Sequence, residues 1–189
     1  KQCFSMADRV IVSTREGARV LSSAMDPRRI RILPRAIDRS IFKPVDTVAD
    51  ATAQRVISLV TGQDPTWELE FALTMFKHLC ARLEPEDALL KWLVVNQVEA
   101  EKIETLLGQK GLGAKIQVSF APGPLQFSER LSESYLSVVP GGAPDASSSW
   151  ALPYRALAAM ACGVPVVLAD GTESRNIEDE AGDMCLIVP

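Results

Sequence analysis

The residues best equipped for chemistry lie between Pro140 and Arg175. Pro140-Gly-Gly-Ala-Pro-Asp-Ala-Ser-Ser-Ser149 is a run of turn formers with little to bury, so it belongs at the surface. It leads into Trp150-Ala-Leu-Pro-Tyr-Arg-Ala-Leu-Ala-Ala-Met-Ala-Cys162, whose small and apolar residues read as a buried helix stopped at Gly163-Val-Pro165. A Gly- and Ser-rich loop entering a helix offers unpaired backbone N–H groups and the positive end of the helix dipole, and both favour an anion. The chemistry of this pattern is therefore anion capture, with Gly141, Ser147, Ser148, Ser149 and Ala151 around the bound group. The same serines read equally as a solvated helix cap, and Trp150 equally as a core anchor.

Other chemistries find less support. Cys3, Cys80, Cys162 and Cys185 are far apart, whereas zinc wants close Cys or His pairs, and the sole histidine is His78. Cys80 and Cys162 fall in helical apolar patterns, which suits core packing and a reduced, cytoplasmic setting. His78 reads as a surface residue of an amphipathic helix. Glu99, Glu101 and Glu104 share a charged helix face, and no carboxylate cluster suited to magnesium is present, so no metal is expected. Arg28, Arg29, Arg31, Arg35 and Arg39 crowd one stretch, but a net charge of −4 and the lack of interleaved aromatics argue against nucleic acid. Arg35 and Arg39 keep an alternative, facing a cleft that holds an anion.

Composition sets the frame around these candidates. The chain is 47% hydrophobic and 23% charged, the balance of a globular domain rather than a disordered one. No apolar run nears the roughly 20 residues of a transmembrane helix, and no signal-peptide core follows Lys1-Gln-Cys-Phe-Ser-Met6.

The elements that must position the loop follow a regular alternation. Residues 7–13 read as a short strand, 14–25 as a helix ended by Asp26-Pro27, and 28–33 as a strand with one wet face. Residues 34–44 carry few regular signals and read as a linker. Then come strands at 56–60, 90–95, 116–120, 135–139, 165–169 and 184–188. Helices are expected at 66–83, 98–107 and from 150, with a short amphipathic segment after Pro124 and one helical turn near 174–179. Short apolar strands alternating with helices predict a parallel sheet covered on both faces. Such a sheet binds ligands beyond the carboxyl ends of its strands. Thr61-Gly62-Gln63, Ala121-Pro122-Gly123 and Pro140-Gly141-Gly142 each follow a strand and would line that edge. No G-x-G-x-x-G follows the first strand and no Walker loop occurs, so dinucleotide and P-loop chemistry lose their usual signals.

Three segments together resemble the C-terminal half of retaining GT-B glycosyltransferases, the family of the glycogen and sucrose synthases. Ala7-Asp-Arg-Val-Ile-Val-Ser-Thr14 with Ile30-Arg-Ile-Leu-Pro-Arg-Ala-Ile-Asp-Arg-Ser-Ile-Phe-Lys-Pro44 is similar to the approach to the hinge, written I-P-N-G-V-D with a later F-x-P. Pro34, Asp38, Phe42 and Pro44 match, while Arg35 and Ala36 replace Asn-Gly. Ala158-Ala-Met-Ala-Cys-Gly-Val-Pro-Val-Val167 resembles E-A-M-A-C-G-x-P-V-V, and 178–189 resembles D-G-x-x-G-x-L-V-x-P. The resemblance implies a doubly wound, Rossmann-like α/β domain at 55–189 lacking its terminal helix, a hinge at 35–54, and the end of an N-terminal domain at 1–34.

The resemblance also implies a nucleotide-sugar donor as substrate, no further cofactor, and an acceptor that is a glycan, a lipid or a small molecule. The family holds its donor with two glutamates eight positions apart, and the aligned positions are Trp150 and Ala158, neither a carboxylate. An Arg and a Lys that neutralise the diphosphate align with Gly62 and Trp67, and an acidic residue near the donor aligns with Arg175. The implied donor site thus comprises Gly62, Gln63, Pro122, Gly123, Gly141, Ser148, Ser149, Trp150, Ala151, Tyr154 and Arg175. Ala121 and Leu125 would frame the base, with Trp150 or Tyr154 stacking on base or sugar. Two functions follow: a hexosyltransferase with a divergent donor site, or a non-catalytic lobe serving as scaffold or regulatory partner. An unrelated Rossmann-like binding domain is the third. The transferase is expected in the cytoplasm, with any membrane attachment supplied by other parts of the protein.

Overall fold

The computed structural model describes residues 6–45, 54–61, 65–83, 88–140, 154–169, 177 and 184–188. A small unit comes first. Strand β1 (Val10–Val12) is followed by helix α1 (Arg15–Ser22), a 3-10 turn (Pro27–Arg29) and strand β2 (Ile30–Ile32), which pairs parallel with β1. Thr14 caps α1 by accepting the Gly17 N–H at 3.0 Å, and Asp26 caps the turn by accepting the Arg28 N–H at 2.9 Å. The strand expected at 28–33 therefore starts two residues later, because Asp26-Pro27 first winds the chain into a 3-10 turn.

The main sheet holds six parallel strands: β3 (Arg55–Val60), β4 (Ala88–Val94), β5 (Ile116–Phe120), β6 (Leu136–Val139), β7 (Val166–Ala169) and β8 (Cys185–Val188). Their spatial order is β5-β4-β3-β6-β7-β8. The chain winds outward from β3 to β5, then returns to the other side of β3 and winds outward again. Helices α2 (Pro65–Cys80) and α3 (Gln97–Gln109) serve the first half, and α4 (Pro124–Ser132) and α5 (Tyr154–Ala161) the second. This is the doubly wound α/β fold that the alternation predicts.

Strands buried on both faces must be apolar on both, and β3 shows how that works. Leu59 packs with Ala72 and Phe76 of α2, Ile103 and Leu107 of α3, and Trp92 of β4. Val60 packs on the opposite face with Phe127 and Leu131 of α4 and with Ala156, Ala158 and Ala159 of α5. The three alanines let α5 approach the sheet closely, which is the reason for its small residues. Both α3 and α5 end in a left-handed glycine. At α5, Gly163 (φ +78°) closes a Schellman motif, with the Val164 N–H on Ala159 O at 3.0 Å and the Gly163 N–H on Met160 O at 2.9 Å. At α3, Gly111 (φ +69°) does the same, so the helix runs through Gly108 to Gln109, two residues past its expected end at 107.

Residues 34–44 are irregular, as their sequence suggests, but they are not a free linker. Phe42 is only 1% exposed, with its ring perpendicular to Tyr154 (5.9 Å, 89°) and steeply inclined to Phe127 (6.2 Å, 75°). The Ser128 hydroxyl donates to the Ile41 carbonyl at 2.8 Å. Pro44 lies against Gly163 so closely that a Cβ there would sit 3.3 Å from Pro44 Cγ. The segment is a strap across α4 and α5. Its F-x-P motif and the Cys-Gly-Val-Pro motif are two sides of one contact.

Candidate functional site

Where the winding of a parallel sheet reverses, the loops leaving the two central strands part in opposite directions and open a crevice. Here that place lies between β3 and β6, whose carboxyl ends are Val60-Thr61 and Val139-Pro140. Thr61 is buried, and its hydroxyl accepts the indole N–H of fully buried Trp92 at 3.0 Å. That bond fixes the mouth of β3 to the inner face of β4.

Arg155 comes to the same point from the other side. It stands in the first turn of α5, and its Nη1 donates to the Val60 carbonyl at 3.0 Å. A guanidinium therefore bridges from α5 to the last residue of β3. Sequence reasoning passed over Arg155, although it is the one charged residue in the otherwise small and apolar run from Trp150 to Ala169. That isolation is the signal that would have found it.

Of the donor residues expected from sequence, Pro122, Gly123 and Tyr154 are described. Gly62, Gln63, Gly141, Ser148, Ser149, Trp150, Ala151 and Arg175 lie outside the described residues. Pro122 is exposed, and Gly123 is the N-cap of α4, with extended backbone and Pro124 at the first helical position. Both stand at the carboxyl edge of the sheet. With strands about 4.8 Å apart, the end of β5 is about 10 Å from that of β3, because β4 lies between them. Leu125 beside them is 59% exposed. Tyr154 is 39% exposed, and its ring contact with Phe42 commits part of its surface to the strap.

Ala158 is fully buried among Val60, Ala156 and Phe42. The helix position that aligns with a donor-binding glutamate thus serves packing here. Trp67 falls within α2, and nothing more of its side chain is described.

The remaining candidates sit away from this edge. His78 is exposed on the last turn of α2. Cys80 lines a groove of about 440 Å³ with Leu83, Leu90 and Lys115, and burial raises its thiol pKa, which favours the protonated form. Arg35 and Arg39 are exposed on the strap. Asp38 between them is held below the ordinary carboxylate pKa by the Ser40 hydroxyl and the Ser40 N–H, so it caps a turn as an anion. Among the described residues no group of three or more His, Cys, Asp or Glu could hold a metal ion, and no helix is long and apolar enough to cross a membrane.

No family model matches the chain, and no curated protein matches it. Solved structures do. HepE from Anabaena, in complex with UDP and glucose, matches at 14% identity and a TM-score of 0.68, over 96% of this chain and 49% of that one. Sucrose-phosphate synthase from Thermosynechococcus elongatus matches at 19% identity and a TM-score of 0.71, over 97% of this chain and 45% of that one. The C-terminal domain of a group 1 glycosyl transferase, LpcC from Francisella tularensis, matches at 16% identity and a TM-score of 0.51, over 81% of this chain and 80% of that domain. The chain has the fold of the C-terminal domain of GT-B glycosyltransferases, and it spans about half the length of HepE and the synthase.

Proposed function

We propose that this chain is the donor-binding half of a nucleotide-sugar-dependent glycosyltransferase, with the donor in the crevice between β3 and β6. The observation that carries the reading is the strand order β5-β4-β3-β6-β7-β8, which puts the ends of β3 and β6, the cation Arg155 and the first turn of α5 at one point. Complexes of HepE with UDP and with UDP-glucose support a nucleotide-sugar ligand for this fold. In this reading residues 1–34 close an N-terminal domain, 35–54 form the hinge, and 55–189 hold the donor. The loops at Gly62-Gln63, Pro122-Gly123 and Gly141, the residues Ser148 to Ala151, Tyr154 and Arg175 line the site.

A second reading rests on Ala158. A buried methyl stands where a ribose-binding carboxylate is expected, and this suits a lobe that kept its fold and lost transfer. Calorimetry with UDP, GDP and ADP separates the proposal from a lobe with no ligand. Binding of at least one is expected, and silence for all three with an intact circular dichroism spectrum would sink both donor binding and transfer. Release of sugar from the matching nucleotide sugar then separates a transferase from a lobe that only binds.

A further inference from the structure

We infer that Phe42, on the strap, is a positioning residue for the bound nucleotide and acts through Tyr154. The inference rests on the nucleotide reading above and adds the contact that orients one of its ligand-lining side chains. Phe42 itself is 1% exposed, so a ligand does not reach it. Tyr154 is within reach. It is the first residue of α5, beside the Arg155 that bonds to the end of β3, and 39% of it is exposed. Its hydroxyl bonds to none of the described residues. A phenol with an apolar ring and an unspent hydroxyl is suited to stack on a base or sugar and to bond its edge.

The start of a helix fixes the backbone of Tyr154, but its ring still turns about two side-chain torsions. The strap supplies the missing constraint. The Phe42 ring meets that of Tyr154 at 5.9 Å and 89°, the edge-to-face arrangement that aromatic quadrupoles favour. Phe42 is itself held, because it also meets Phe127 at 6.2 Å and 75°. The backbone around it is tied down as well. The Ile41 and Phe42 N–H groups donate to the Asp38 carbonyl at 3.1 and 2.8 Å, and the Ile41 carbonyl accepts from Ser128 of α4. Docking of the strap and orientation of Tyr154 are therefore one arrangement. A ligand that uses the oriented ring favours the docked strap, and by linkage the docked strap favours the ligand.

A purely structural role, with Phe42 a core anchor and no more, is the competing account. The experiment titrates wild type, Phe42→Leu, Tyr154→Leu and the double variant with the tightest-binding of UDP, GDP and ADP, and follows thermal unfolding of each without ligand. Positioning predicts that Phe42→Leu weakens the nucleotide about two- to tenfold, the span of an aromatic pair's coupling expressed as affinity. In the Tyr154→Leu background the same change weakens it no further, because the ring it positions is gone. A second measurement needs no double variant: saturating nucleotide slows amide hydrogen exchange at Ile41 and Phe42 in wild type, and slows it less in Tyr154→Leu. Unchanged affinity in Phe42→Leu, with or without a lower Tm, would overturn the inference and leave the nucleotide reading intact. Equal weakening in both backgrounds would overturn it too, since Phe42 would then act on something other than Tyr154. If the double variant does not fold, amide exchange decides, and the same slowing in wild type and Tyr154→Leu, or none in either, overturns the inference. Wild type that binds none of the three nucleotides would overturn the inference and the reading together.

Discussion

Replacing Phe42 by Ala tests whether the strap belongs to the core. The side chain is 1% exposed, and a buried phenylalanine removes at least about 150 Å² from water, which at about 25 cal/mol per Å² is about 4 kcal/mol. Extended-chain references overstate such burial, and the Ala Cβ keeps a small part of it. Against that, the ring contacts with Tyr154 and Phe127 each add about 0.5–1.5 kcal/mol. The net expectation is a loss of about 3–5 kcal/mol, within the usual range for Phe to Ala in a core. Urea unfolding measures it directly: the midpoint falls while the slope with denaturant stays constant. A cycle of Phe42→Leu with Tyr154→Leu should then give a coupling of about 0.5–1.5 kcal/mol for the ring pair. A loss below about 1 kcal/mol for Phe42→Ala would refute the reasoning, because it would mean that 37–44 detaches in solution at little cost.

Other outcomes follow from single features. Gly163→Ala forces a left-handed backbone on a residue with a Cβ and should cost about 1–2 kcal/mol, measured by urea unfolding. In a Pro44→Ala background the cost should shrink, because the new methyl loses its nearest neighbour. Burial would raise the Glu133 pKa, but the Lys91 ammonium at 2.7 Å and the Arg130 guanidinium at 2.8 Å outweigh it and hold the carboxyl below its ordinary value. A depressed folded-state pKa contributes stability above the unfolded value and loses it as pH falls through the folded one. Glu133→Gln should therefore cost less than about 1 kcal/mol at pH 7, since the group is part exposed. The difference from wild type should begin to fade near pH 4.3, the ordinary glutamate value, and vanish below the folded-state pKa; a constant difference across that range would refute it. Ser58 and Ser137 face each other in register on β3 and β6, fully buried, with hydroxyls that lack hydrogen-bond partners. Ser137→Ala should be neutral or stabilising by up to about 1 kcal/mol, and a clear loss in Tm would show that the hydroxyl is in fact bonded.

Much of the sheet was legible because its strands are short apolar runs that cannot be exposed on either face. Val-Ile-Ser-Leu-Val at 56–60 and Ile-Gln-Val-Ser-Phe at 116–120 lie within a residue of their observed bounds. Parallel pairing followed from the helices between them. Strand order did not, since nothing local to β6 says that it returns to β3 instead of extending past β5. The strap was read as linker for a different reason. Phe42 is a lone aromatic in a stretch with no period, and periodicity is the signal that marks a core face. Arg155 is hidden by its company, because a helix of small and apolar residues signals packing and a lone charge within it carries no sign of what it faces. Of the expected donor residues, the glycines at 62 and 141, the serines and Trp150 are recognisable by type, and they lie outside the described residues. Their types carry no repeating pattern from which a spatial relation to one another could be predicted.

The strand order has a consequence in time as well as in space. The crevice does not exist until Ile57 has found Leu136, and two strand–helix units must be laid down between them. Loop closure over such a separation is slow compared with hairpins or helix turns. β3, β4 and β5 with α2 and α3 share one side core and can assemble from neighbours in sequence. The mouth of the crevice forms only when β6 docks and brings α5, with Arg155, across to the Val60 carbonyl. A ligand held at this mouth would therefore steady the strand pairing with the longest reach among the described residues, and so favour the completed sheet over any half-assembled form.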